Sequence, residues 1–145
     1  MSKPSATALS LLVGAALLAA PALSADGGRK LEATLSGAAE VPGPADPDGA
    51  GAASVAINAG QRQICYTLSV SNIDPATMAH IHKAPPGVAG PVVAALTAPT
   101  SGSSKGCATV AGALALDILK SPANYYINIH NEPFPAGALR GQLAK

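Results

Sequence analysis

Three histidines carry most of the chemistry this sequence offers: His80, His82 and His130. Neutral imidazole gives a metal ion a lone pair without the cost of desolvating a charge, and it is the commonest protein metal ligand at neutral pH. A His-x-His pair on a strand projects two rings from one face, and a third ring from another strand completes a set of three nitrogens. Met78 and Glu132 stand nearby in sequence as weaker additional ligands. Three imidazoles without a thiolate suit copper or zinc, and the thioether tilts the choice towards copper, with zinc less favoured. The competing reading has the imidazoles bonding loop carbonyls and holding strand ends together. Arg140 is placed to pair with Glu132, to orient a ligand, or to draw an anion towards an ion held by the histidines.

These residues need strands to position them, and the sequence supplies strand signals. Gly and Pro punctuate it at short intervals between apolar stretches. The predicted strands are residues 30–36, 52–58, 62–70, 77–82, 92–96, 106–110, 124–130 and 138–144, with Gly60-Gln61 as a tight connection. Residues 42–49 and 97–105 read as loops, and 114–120 as one short helix halted by Pro122. The fold class is therefore all-β, an antiparallel Greek-key sandwich or barrel with one short helix. Strand parity puts Ile64, Tyr66, Leu68 and Val70 on one face and Cys65, Thr67 and Ser69 on the other. It groups Met78, His80 and His82 opposite Ala79 and Ile81. Tyr126, Asn128 and His130 lie opposite Tyr125, Ile127 and Ile129. All three histidines thus fall on the face opposite the core.

Two weaker motifs are set aside. Gly102-Ser103-Ser104-Lys105-Gly106, followed by Asp117 and His130, has the residue order of a nucleophile elbow, but it sits in a Ser-rich loop entering a strand rather than at a strand-to-helix turn. Asp46-Pro47-Asp48-Gly49 begins like a calcium loop, yet no glutamate closes it, and a turn is expected.

The N-terminus has the three parts of a secretory signal peptide: Lys3, the apolar run from Ala6 to Ala20, and small residues after Pro21. Cleavage is expected after Ala22, Ser24 or Ala25, so residues 1–25 are read as leader and 26–145 as the domain. The run falls short of the ~18–20 apolar residues that span a bilayer. No stable membrane insertion is expected after cleavage, and the location is periplasmic or secreted. Without Lys3 the chain has eight basic and eight acidic residues, which argues against nucleic acid and against anionic membrane surfaces. Tyrosine and phenylalanine are scarce and tryptophan is lacking, so a stacking platform for sugars or bases is poorly supplied. The two cysteines, Cys65 and Cys107, are expected to form a disulfide in an oxidising compartment. Closing a loop of roughly 43 residues would stabilise the fold by about 4 kcal/mol on the chain-entropy account.

Two separated motifs resemble the CHRD domain family. Ala79-His80-Ile81-His82, followed by Gly87 and then Gly90-Pro91-Val92-Val93, resembles its "AHIH…G..GPVV" signature. Asn124-Tyr125-Tyr126-Ile127-Asn128-Ile129-His130, with Gly137-Ala138-Leu139-Arg140-Gly141-Gln142-Leu143, resembles its closing "YYVNVH…GEIRGQL". The resemblance runs from about Leu31 to Leu143 and implies an extracytoplasmic β-sandwich. Two positions depart from the pattern: Ala138 replaces an acidic residue that would face Arg140, and Lys83 follows the histidine pair. The His-x-His strand is also similar to the copper-binding strand of copper–zinc superoxide dismutase. That likeness makes a copper oxidoreductase one alternative and a metal-free adhesion or scaffold module another. Three histidines are too few for that enzyme's paired metal sites. The protein partner is left open.

Overall fold

The computed structural model describes residues 27–145; the expected leader lies outside them. Eight strands form: β1 (Arg29–Ser36), β2 (Ala50–Asn58), β3 (Gln63–Ser71), β4 (Ala76–Lys83), β5 (Val92–Leu96), β6 (Ser103–Thr109), β7 (Tyr125–Asn131) and β8 (Leu139–Gln142). One helix, α1 (Gly112–Lys120), separates β6 from β7. The strands form a single antiparallel sheet in the order β5-β4-β7-β8-β1-β2-β3-β6. Strands β1, β2 and β3 are sequential neighbours, whereas β6 returns beside β3 and β7 returns beside β4. These crossovers make the topology a Greek key.

The sheet curls until its two edges almost meet. Thr97, directly after β5, ties that edge to the other by side chains: its N–H donates to the Tyr66 hydroxyl of β3 at 2.8 Å, and its carbonyl accepts from the Ser104 hydroxyl of β6 at 2.7 Å. Inside the curl lies one apolar core. Leu31, Val55, Ile57, Ile64, Leu68, Ile81, Tyr125, Ile127, Ile129 and Leu139 are each at most 1% exposed. α1 contributes Ala115 and Ile118 to it. That helix has no side-chain N-cap, so packing of these two residues, more than local propensity, holds it.

All eight expected strands are present; β5 has its expected bounds and the others shift at one or both ends. β6 starts three residues earlier than expected, at Ser103, because Ser103–Lys105 pair in register with Thr67–Ser69 of β3. A Ser-rich run reads as loop by composition, and only a partner strand makes it a strand. At the chain end, β8 stops at Gln142, but Ala144 still bridges Glu32 of β1.

Strand parity holds throughout β1, β2 and β3, where core residues alternate with exposed ones. The face of β7 that carries Tyr126, Asn128 and His130 lies opposite the core, yet all seven residues of β7 are buried, so both faces are covered. Three connections enclose that face. The β1–β2 connection brings Glu40, and its Asp46 N–H bonds Ala138 O at 3.3 Å. The β4–β5 connection, residues 84–91, and the β7–β8 connection, residues 132–138, complete the cover.

Candidate metal centre

The three histidines converge beneath this cover. Antiparallel pairing of β4 with β7 sets Met78 opposite His130, His80 opposite Asn128, and His82 opposite Tyr126. All four metal-relevant side chains therefore share one face of two adjacent strands. His80 Nδ1 lies 3.2 Å from His130 Nε2, and one nitrogen from each of the three rings falls within 4.8 Å of the others. The ring centroids are separated by 5.1, 5.7 and 6.3 Å.

Two of the rings are aimed by backbone carbonyls. His82 Nδ1 bonds Gly90 O at 2.9 Å, and His130 Nδ1 bonds Pro135 O at 3.0 Å. A carbonyl only accepts, so both Nδ1 atoms carry the proton and both Nε2 atoms are unprotonated acceptors. His130 Nε2 then accepts from His80 Nδ1. His82 Nε2 is shielded from solvent and has no hydrogen-bond partner. For His82 the two readings of the histidines are therefore compatible, since Nδ1 fastens a loop while Nε2 remains available; His130 Nε2 becomes available only when the His80 proton moves to that ring's Nε2. Gly90 makes its loop's close approach possible, since a Cβ there would fall 2.1 Å from Lys83 O.

Burial also keeps the rings neutral. Desolvation is the main cause that lowers the pKa of each histidine, and neighbouring charge adds to it. For His80 that charge comes from His130 and His82, for His130 from His82, and for His82 from Arg140. Neutral imidazole is the form that binds metal.

Arg140 lies on the same buried face, opposite Asn128, and is 1% exposed. Its surroundings differ from those anticipated. Glu132 is exposed and stands outside the imidazole group, so it neither pairs with Arg140 nor joins the three nitrogens. Arg140 instead donates to Pro85 O at 2.9 Å and to Gln142 Oε1 at 3.1 Å, and its guanidinium packs 3.5 Å from the centre of the Tyr126 ring. Its Nη1 is buried without a partner. The carboxylate near it is Glu40, which accepts from the Asn128 amide. Burial raises the Glu40 pKa, against the lowering effect of the Val41 N–H, Asn128 and Arg140. Nothing in the sequence around Glu40 marks it. Gln142 was legible in principle, since it lies two residues from Arg140 on the same strand face.

Tyr126 joins the two halves of the site. It stacks on His82 with ring centroids 4.8 Å apart and planes 10° from parallel, and its hydroxyl accepts from the Gly90 N–H at 3.1 Å. Lys83 points to the opposite side, where it pairs with Asp117 at 2.7 Å. Its charge is thereby directed away from the histidines.

The motifs set aside in the sequence behave as expected. Ser104 sits in β6, and Asp117 is engaged by Lys83 and the Tyr125 hydroxyl, so no triad forms with His130. Asp46 Oδ1 accepts from Asp48 and Gly49 N–H in a turn. Cys65 and Cys107 are bridged between directly opposite positions of β3 and β6, on the outer face of the sheet. Among the described residues no helix is long and apolar enough to cross a membrane.

The three-histidine group could hold a metal ion. Metal–nitrogen bonds of 2.0–2.1 Å place tetrahedral ligands roughly 3.3 Å apart; the closest pair, now hydrogen-bonded, stands at 3.2 Å, and the full set, within 4.8 Å, must draw closer around an ion. The three nitrogens can hold the ion while Gly90 O and Pro135 O keep two rings oriented. No curated protein and no solved structure matches the chain. The model of the CHRD domain matches residues 31–143, a span from β1 to just past β8 that includes both histidine strands and the buried arginine. The chain, from its first core leucine to its last, belongs to the CHRD domain family.

Proposed function

We propose that this protein is an exported binding domain that holds one transition metal ion, copper in preference to zinc, at His80, His82 and His130. The observation that carries the reading is His82 Nε2, an imidazole lone pair shielded from solvent and left without a hydrogen-bond partner. A buried polar atom in that state is costly unless something binds it. The nearby imidazole nitrogens supply the rest of a ligand set. The preference for copper rests on three neutral nitrogens with a thioether on the same strand face. Export, to a periplasm or outside the cell, is supported by the leader pattern and by the disulfide.

The test is equilibrium dialysis of the purified domain against copper or zinc, followed by metal analysis. Wild type should retain one equivalent per chain. His80→Ala and His130→Ala should each weaken retention by at least the ~10–100-fold typical of changes around metal ligands, with far-ultraviolet dichroism unchanged. A His130→Ala variant that retains metal as wild type does would overturn the three-histidine site. The histidines would then serve only to fasten the two loops.

A further inference from the structure

Two exposed large apolar side chains stand directly opposite histidines, Val92 across from His82 and Met78 across from His130, and of the two only Met78 carries a donor atom. It is 46% exposed, yet it stands directly opposite His130 and two residues before His80 on the same face. Directly opposite residues on antiparallel strands bring their Cβ atoms within about 5.5 Å. The unbranched, three-torsion methionine side chain easily spans that distance. The pairing of β4 with β7 shifts register between Ala76 and Met78, leaving Thr77 as the extra residue of a bulge. Thr77 and Met78 are both exposed. Bulges beside functional sites characteristically re-aim a side chain, and here the bulge ends where the register with the histidines begins.

Charge gives a second, independent constraint. All three imidazoles are neutral ligands, and no carboxylate joins their group. Glu40, the buried acid nearby, is committed to Asn128 and stands in the field of Arg140, and Glu132 is exposed. An ion held here keeps its full charge in a partly desolvated place. The cost of that rises with the square of the charge, so a divalent ion suffers about four times the penalty of a monovalent one. Soft thioether and imidazole donors without carboxylate are the set that selects monovalent copper over zinc.

We infer that the ion is cuprous copper and that the Met78 thioether is its fourth ligand, on the solvent side of the three imidazoles. The inference rests on the three-histidine reading and names the oxidation state and the exposed ligand of that site. His82 and His130 are held from behind by loop carbonyls, while Met78 is solvent-facing and free to let go. Copper therefore enters and leaves on the Met78 side, by exchange with another soft donor.

The experiment is an anaerobic titration with cuprous copper against bicinchoninate as competing chelator, with zinc titrated separately against a chromophoric chelator. X-ray absorption at the copper edge is recorded for wild type and Met78→Leu. Met78 is exposed and the substitution conserves volume, so folding is unaffected. Wild type should bind cuprous copper more tightly than zinc and show one sulfur neighbour. Met78→Leu should lose that sulfur and bind cuprous copper about 10–100-fold more weakly, with zinc binding unchanged. A bound copper with only nitrogen or oxygen neighbours, or zinc held more tightly than cuprous copper, overturns this inference and leaves the histidine site standing. Absence of binding by any of these ions overturns both.

Discussion

The two halves of the sheet treat their outward faces differently. In β1, β2, β3 and β6 the outward residues Lys30, Glu32, Thr34, Ala52, Ser54, Thr67, Ser69, Lys105 and Cys107 are all exposed. In β7 and β8 the outward residues Tyr126, Asn128, His130 and Arg140 are at most 7% exposed. Both halves present the same inward core. What separates them is the length of the connections: β2 and β3 are joined by a tight turn, whereas the connections beside β7 and β8 are long enough to fold back over the strands. A covered polar face must satisfy its own hydrogen bonds. The atoms it fails to satisfy, on His82, Asn128 and Arg140, are where a ligand has most to offer.

This difference predicts unequal costs of mutation. Arg140→Ala removes a buried guanidinium bonded to Pro85 and Gln142 and packed on Tyr126. It should lower the unfolding free energy by about 3 kcal/mol or more, read from urea unfolding. A cost below that of an ordinary surface substitution would mean that the covered face is not a second, polar core.

Next in size is the disulfide of the open half. Replacing Cys65 and Cys107 together by alanine should cost about 2–4 kcal/mol, and the metal stoichiometry should not change, because the bridge lies on β3 and β6 and the histidines on β4 and β7. Loss of metal binding in that variant would show that the halves are coupled.

A smaller effect separates the halves by pH. The three histidines have pKa values held below their ordinary 6.5 in the folded protein. Between 6.5 and those lowered values the unfolded chain binds protons that the folded chain refuses. Stability of the metal-free protein should therefore be unaffected by these groups above 6.5 and fall as pH drops below it. Glu40 acts in the opposite sense: its raised pKa removes stability as pH rises from 4.5 through that value. Urea midpoints measured across this range for wild type, Glu40→Gln and a triple His→Ala variant separate the two. A wild-type profile that does not change on removing the histidines contradicts their burial.

The smallest effect is expected on the open face. Thr67→Ala, an exposed position in the middle of β3, should change stability by no more than about 0.5 kcal/mol. A much larger loss would show that this face is also covered in solution, by a partner.

Much of the architecture was legible from local pattern. The alternation of Ile64, Tyr66 and Leu68 with Cys65, Thr67 and Ser69, and the shared parity of Met78, His80 and His82, follow from the two-residue period of a strand. The period is local, so a single chain can display it before it folds. The cysteine pair was legible for a related reason, because both residues fall on the non-core side of their strands. Which strands are neighbours is not local. That β4 lies beside β7 depends on a crossover of some forty residues, and only this pairing turns His130 towards His80. Nor could parity tell a solvated face from a covered one. The sequence by itself determined which residues share a face. Tertiary structure alone decided that loops would close over β7, bringing Gly90 O and Pro135 O to the histidines and Glu40 to Asn128, because burial depends on what the rest of the chain places overhead.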